Sequence, residues 1–223
     1  MADVVAGGSA QAPISDELHN AEIERAATRG AYWSGSRLFV ALSAMLYASA
    51  TFAYFYLHGL NSSGLWRTDG QQPSDFVSVP VLVLTVAGAA LFWWYTRLML
   101  AGRTESTDWL VATGVSCVAF LTAGIVQLVG MTHSDFFPGS SGYASCYVAI
   151  MPVFAIYCLG TAYWLETLFA RALRVRWVVS DEKPGRDSLE RTMFVGSAVG
   201  AKAFVVFVAL VSVLLFVLFS VIS

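Results

Sequence analysis

Polar and apolar positions along this chain do not alternate; they fall into long blocks. From Leu38 to Leu57 no charged residue interrupts twenty consecutive positions, and "SAMLYASATFAYFYLHG" (43–59) sets small residues ahead of a run of aromatics. At a rise of about 1.5 Å per residue such a block covers about 30 Å as a helix, the hydrocarbon thickness of a bilayer. Four further blocks follow, at about 76–96, 109–131, 143–164 and 203–222. The pattern predicts an all-α fold, an integral membrane bundle of five transmembrane helices. Tyr54, Tyr56, Trp93, Trp94, Tyr95, Trp109 and Trp164 fall near block edges. Amphipathic rings favour the headgroup layer, so they are expected there.

The polar blocks divide the chain into an N-terminal segment, 1–32, and a membrane domain, 33–223. Residues 1–14 are rich in Ala, Gly and Ser and are expected to be disordered. "MADVVAGGSAQAP" carries an Asp, lacks a basic leader and is too short in apolar residues for a secretory signal. "SDELHNAEIERAATRG" predicts a short interfacial helix starting at Ser15, with Leu18 and Ile23 towards lipid or a partner. "RALRVRWVVSDEKPGRDSLER" (171–191) is the one sizeable polar connection between spans. No internal repeat of the kind built into inverted-topology transporters is visible.

Charge placement sets the expected orientation. With the N-terminus inside, eleven of the thirteen basic residues fall in inner segments, and only Arg67 falls in an outer loop. That asymmetry places the N-terminus inside and the C-terminus outside. The last basic residue, Lys202, stands at the inner edge of the fifth block, where its side chain can reach the headgroups. An ion pair with a partner subunit is the alternative role for it.

Composition narrows the chemistry. Hydrophobic residues make up 57% of the 223 and charged ones only 13%, about half the usual share for a soluble domain. A net charge of −2 argues against nucleic acid as a partner, which would want a basic face. Cys117, Cys146 and Cys158 sit in apolar runs without paired spacing and are expected to be packing residues. The three histidines, His19, His58 and His133, are not placed to face each other within a helical core. No haem or copper is therefore expected in this chain. His133 and Asp135 supply two ligand types, short of a closed metal site, and "NSS" (61–63) matches a glycosylation acceptor.

The polar groups inside the blocks are few, among them Ser43, Thr85, Ser116, Gln127, Tyr147, Tyr157 and Ser212, and no carboxylate lies among them. Pumps and ion-coupled transporters place ionisable groups near the midplane, so neither activity is expected here. Small residues recur at helical spacing instead: Ala41, Ala44 and Ala48; Ala87, Gly88 and Ala90; Gly196 and Gly200. Such rows let helix backbones approach closely, either within one bundle or against a second subunit. Ala41, Ala44, Ala48, Gly196, Gly200 and Lys202 are the candidate residues for helix packing or a partner interface.

"LSAMLYASATFAYFYL" (42–57) resembles the first span of the short, five-helix form of haem–copper (cytochrome c) oxidase subunit III, through Met45, Ala48, Ala53, Tyr54, Phe55, Tyr56 and Leu57. "AFLTAGIVQLVG" and "FFPGSSGYASCYV" are similar to that family's third span, outer loop and fourth span, including Tyr143 and Ser145. The resemblance covers about residues 33–222. It departs from the family in one direction. Ser43 stands where a membrane glutamate is usual, Phe154 and Tyr157 where two histidines are usual, and Gln127 where a glutamate is usual. Lys202, Ala203 and Val206 stand in place of an aromatic–histidine–aspartate region.

The resemblance implies a non-catalytic accessory subunit without redox centres of its own. Haem and copper would belong to a partner catalytic subunit, phospholipid would bind between helices, and the setting would be a respiratory chain, in a prokaryotic cell (inner) membrane. The stripped polar positions speak against a share in proton uptake. Two alternatives stand beside this reading: the subunit III-like accessory protein of nitric oxide reductase, and an unrelated stand-alone membrane transporter or enzyme.

Overall fold

The computed structural model describes residues 12–60, 66–67, 71, 73–103, 106–134, 137–178 and 186–222. Five helices account for most of them: α1 (Ala12–Leu60), α2 (Asp75–Leu100), α3 (Ser106–Thr132), α4 (Gly142–Val178) and α5 (Arg186–Phe216). A π-helical turn, Val217–Val221, closes α5. No strand occurs among the described residues. All five helices contain a stretch long and apolar enough to cross a membrane: Gly30–Leu60, Asp75–Leu100, Thr107–Thr132, Gly142–Arg174 and Met193–Val221.

Local chemistry explains where the helices stop. Asp75 sits in the first turn of α2, where its carboxylate complements the helix dipole. At the other end Gly102, at φ +66°, closes α2: its N–H bonds to the Met99 carbonyl and the Arg103 N–H bonds to Leu98, the paired closure that a left-handed glycine permits. Ser141 opens α4 by accepting the Ala144 N–H on its hydroxyl at 3.0 Å. α4 then continues through Pro152, which has no N–H for the Val148 carbonyl.

The helices extend further than the apolar blocks. α1 begins at Ala12 and runs unbroken to Leu60, so the expected interfacial helix at Ser15 is the first part of α1 and no break separates 12–32 from the membrane domain. Much of the expected loop 171–191 is helical as well, since α4 reaches Val178 and α5 starts at Arg186. Charged side chains end a hydropathy block but not a helix, because backbone hydrogen bonds continue in water. The expected disorder of 1–14 falls mainly, and the "NSS" sequence and Asp135 wholly, outside the described residues.

Packing order differs from chain order. α2 packs on α3, α3 on α4, α4 on α5 and α5 back on α2, a closed ring of four. α1 lies outside that ring, against α5 and, more sparingly, α4. Only 17% of the apolar window of α1 is buried, against 50% for α5, which places α5 at the centre and α1 at the edge.

Lipid is as apolar as leucine, so close fit and interhelical hydrogen bonds hold such a bundle. Both are present. A Cβ on Gly130 would stand 2.5 Å from Val77, so that glycine is what allows α2 and α3 to meet. Thr85 donates to Ser212 at 2.9 Å, Ser116 to the Gly88 carbonyl at 2.9 Å, and the Trp109 indole to Thr96 at 3.2 Å.

Candidate functional site

Two departures from the resembled family, Ser43 and Tyr157, meet at the contact between α1, α4 and α5. Tyr157, on α4, donates its hydroxyl to Ser43 Oγ on α1 at 2.8 Å, and Ser43 donates in turn to the Phe39 carbonyl at 2.7 Å. The Tyr157 ring stacks near Phe39 and meets Tyr47 edge-on, with centroids 5.4 Å apart. Phe204 and Phe207 of α5 complete the cluster against Phe39, Tyr157 and Tyr47. Two positions 114 residues apart are thus one site.

Its chemistry is that of neutral hydroxyls. Ser43 is almost fully buried, and Tyr157 half-buried. Tyr47 is also buried, and its hydroxyl has no hydrogen-bond partner among the described residues. Gln127 and Phe154 are two further departures. Gln127 donates to the Tyr147 hydroxyl at 3.4 Å between α3 and α4, and Phe154 is buried hydrocarbon. Glu166, the nearest carboxylate to the fourth block, is exposed on α4.

The small-residue candidates separate into two groups. Gly196 and Gly200 face α1: a Cβ on Gly196 would meet the Tyr32 ring at 3.3 Å, and one on Gly200 would meet Ser36 Cβ at 3.1 Å. These glycines let α5 and α1 approach within the chain. Ala41, Ala44 and Ala48 are exposed on α1, away from the Ser36–Ser43–Tyr47–Tyr54 face that meets the bundle. Lys202 is half-buried, nine residues inside the stretch Met193–Val221, and has no ion-pair or hydrogen-bond partner among the described residues.

A second cluster, at the α1–α2 loop end, was not visible as a site from the sequence. Tyr54 donates to the Leu218 carbonyl at 2.8 Å, and Tyr143 to the Phe219 carbonyl at 2.6 Å. These carbonyls lie in the π-helical turn that closes α5, so two phenols, one from α1 and one from α4, hold that turn. Trp66 sits between the two rings, edge-on to both. Tyr54 and Trp109, expected among the headgroup aromatics, are instead buried in the bundle, whereas Tyr56 and Trp94 are exposed. An aromatic at the end of an apolar block has the same sequence signature in either role.

Among the described residues no three His, Cys, Asp or Glu side chains gather as metal ligands. His133 uses its Nδ1 on the Val129 carbonyl at 2.9 Å, and His58 lies against Trp66. No protein-family model matches the chain, and no curated protein matches it.

Proposed function

We propose that the chain is a non-catalytic accessory membrane subunit, similar to subunit III, of a respiratory haem–copper terminal oxidase. The observation that carries this reading is the Tyr157–Ser43 hydrogen bond. The resemblance assigns ionisable residues to those two positions in separate spans, and here the same two positions touch. With hydroxyls in place of a carboxylate and an imidazole, the site holds helices together. Catalysis, haem and copper then belong to a partner subunit, which this chain stabilises while binding lipid.

The orientation follows from the basic residues, with the N-terminus inside and the C-terminus outside a prokaryotic cell membrane. Purification of the tagged chain from its native membrane in mild detergent, followed by a visible spectrum and metal analysis, tests the proposal. Haem and copper should co-purify in fixed ratio to the chain. A colourless preparation would overturn the oxidase reading and leave a stand-alone membrane protein.

A further inference from the structure

α5 is covered by α1, α4 and α2, but one stripe of it is left open. Between Met193 and Phe216 only Ala203, Leu210 and Val213 are exposed, at a spacing that returns to one helical face. α1 and α2 each pack on α5 but hardly on each other, so they wall a trough whose floor is this stripe. Residue order shows which flanks form the walls. On α1, Leu46 and Ala53, each one position before a buried tyrosine, line the seam with α4. Arg37, Ala44 and Ala48, each one position after a buried residue, turn to the opposite flank, and all three are exposed. On α2, Val77 and Gly88 meet α3, and Val86 and Arg97, one position after buried Thr85 and Thr96, are exposed on the flank away from it.

Three cations share one level of this trough. Successive spans alternate in direction, so α1 runs parallel to α5 and α2 antiparallel to it. Ser36 stands against Gly200 and Tyr54 against Leu218, which puts Arg37 level with Ala201. Thr85 bonds to Ser212, and twelve residues along each helix from that pair Arg97 is level with Gly200. Lys202 stands beside Ala203 on the floor between them. The two arginines lie over the rings of Trp33 and Trp93, whereas Lys202 is half-buried and has no ion-pair or hydrogen-bond partner among the described residues. No Asp or Glu lies on the crossing parts of these helices, 31–60, 76–100 and 193–222.

We infer that this trough receives one transmembrane helix of another membrane protein, and that the helix brings a carboxylate to Lys202. The missing charge is negative, and an ammonium partly withdrawn from water among helices is costly until a fixed anion meets it. A second copy of this chain fails that requirement. A two-fold axis along the membrane normal would bring equal levels together and set cation against cation. Ala44, Ala48 and Ala203 let a helix backbone approach closely, a fit that loose acyl chains do not need. The inference rests on the reading of the chain as an accessory subunit, not on its partner being an oxidase. Haem co-purification without the cross-link below overturns this inference alone, and the cross-link without haem overturns the oxidase reading alone.

The test places the photo-cross-linking residue p-benzoylphenylalanine at Leu210 of the full chain in its native membrane, with adducts mapped by peptide mass spectrometry. The adduct should join Leu210 to a transmembrane segment of another protein that carries Asp or Glu near its inner end. The same probe at Ala44 should reach the same segment, and at Val115, exposed on α3, it should not. Lys202→Met should lower the Leu210 adduct about fivefold or more, and Lys202→Arg should keep it. The thermal midpoint in detergent shows that both variants remain folded. If Lys202→Met does not fold, Lys202→Glu replaces it, and a lysine at the mapped partner carboxylate should restore the adduct that Lys202→Glu loses. Adducts to phospholipid alone, to a second copy of this chain, or to a segment without a carboxylate would each overturn the inference. So would an adduct yield that Lys202→Met leaves unchanged.

Discussion

The Tyr157 hydroxyl lies 2.8 Å from Ser43 Oγ and donates to it, joining α4 to a helix that otherwise leans mainly on α5. Ser43 keeps its own bond to the Phe39 carbonyl, so Tyr157→Phe removes one donor and strands no buried polar group on Ser43. The expected cost is about 1 kcal/mol, read as a small fall in thermal midpoint in detergent. Tyr157→Ala also removes the ring between Phe39, Tyr47 and Phe204 and should cost about 3–5 kcal/mol. Equal effects of the two substitutions would show that the ring contributes nothing.

Gly200 and Ala44 should respond differently to the same enlargement. Gly200→Leu drives a side chain into Ser36 and should lower the stability of the isolated chain by about 1–3 kcal/mol. Ala44→Leu projects away from the bundle and should leave that stability unchanged. Recovery of the native complex is the second measurement. If the exposed Ala41–Ala44–Ala48 row meets another subunit, Ala44→Leu lowers recovery of the complex although the chain remains folded.

Tyr54→Phe and Tyr143→Phe each remove a phenol donor from a carbonyl in the turn that closes α5. Each should cost about 1 kcal/mol, the usual net worth of one such hydrogen bond. Hydrogen exchange at 216–222 should speed up in both variants and stay unchanged around Thr85 and Ser212, whose bond is independent of them. Unaltered exchange at 216–222 would show that the phenols do not hold the turn.

Sidedness has a direct readout. In a chain with its native cysteines replaced, Ser140→Cys should react with a membrane-impermeant maleimide on intact cells. Ala101→Cys should react only after permeabilisation. Both positions are exposed, so access and not burial decides the result. The reverse pattern would invert the orientation drawn from the basic residues.

Much of the architecture was legible because hydropathy reports the part of each helix that meets hydrocarbon, and all five apolar blocks lie on helices. Helix ends were not legible for the same reason. Lys202 ended the uncharged run, yet Gly196 and Gly200 before it pack against α1. Gly196 and Gly200 stood out by spacing, but spacing alone does not say whether the surface they fit belongs to this chain or another. Tyr54 and Tyr143 gave no signal as caps, because their partners are backbone carbonyls, which every residue carries. The pairing of Ser43 with Tyr157 joins helices 114 residues apart, which no local pattern encodes.

α5 comes last in the chain but touches α1, α2 and α4, and α1 waits for it: the Tyr54 hydroxyl must find a carbonyl 164 residues downstream. Until α5 is made, α1 therefore lacks the helix it packs against most and has α4 as its main neighbour. Translation halted before Met193 would yield an unlatched first helix with its bundle-facing side bare, a ready target for membrane proteases.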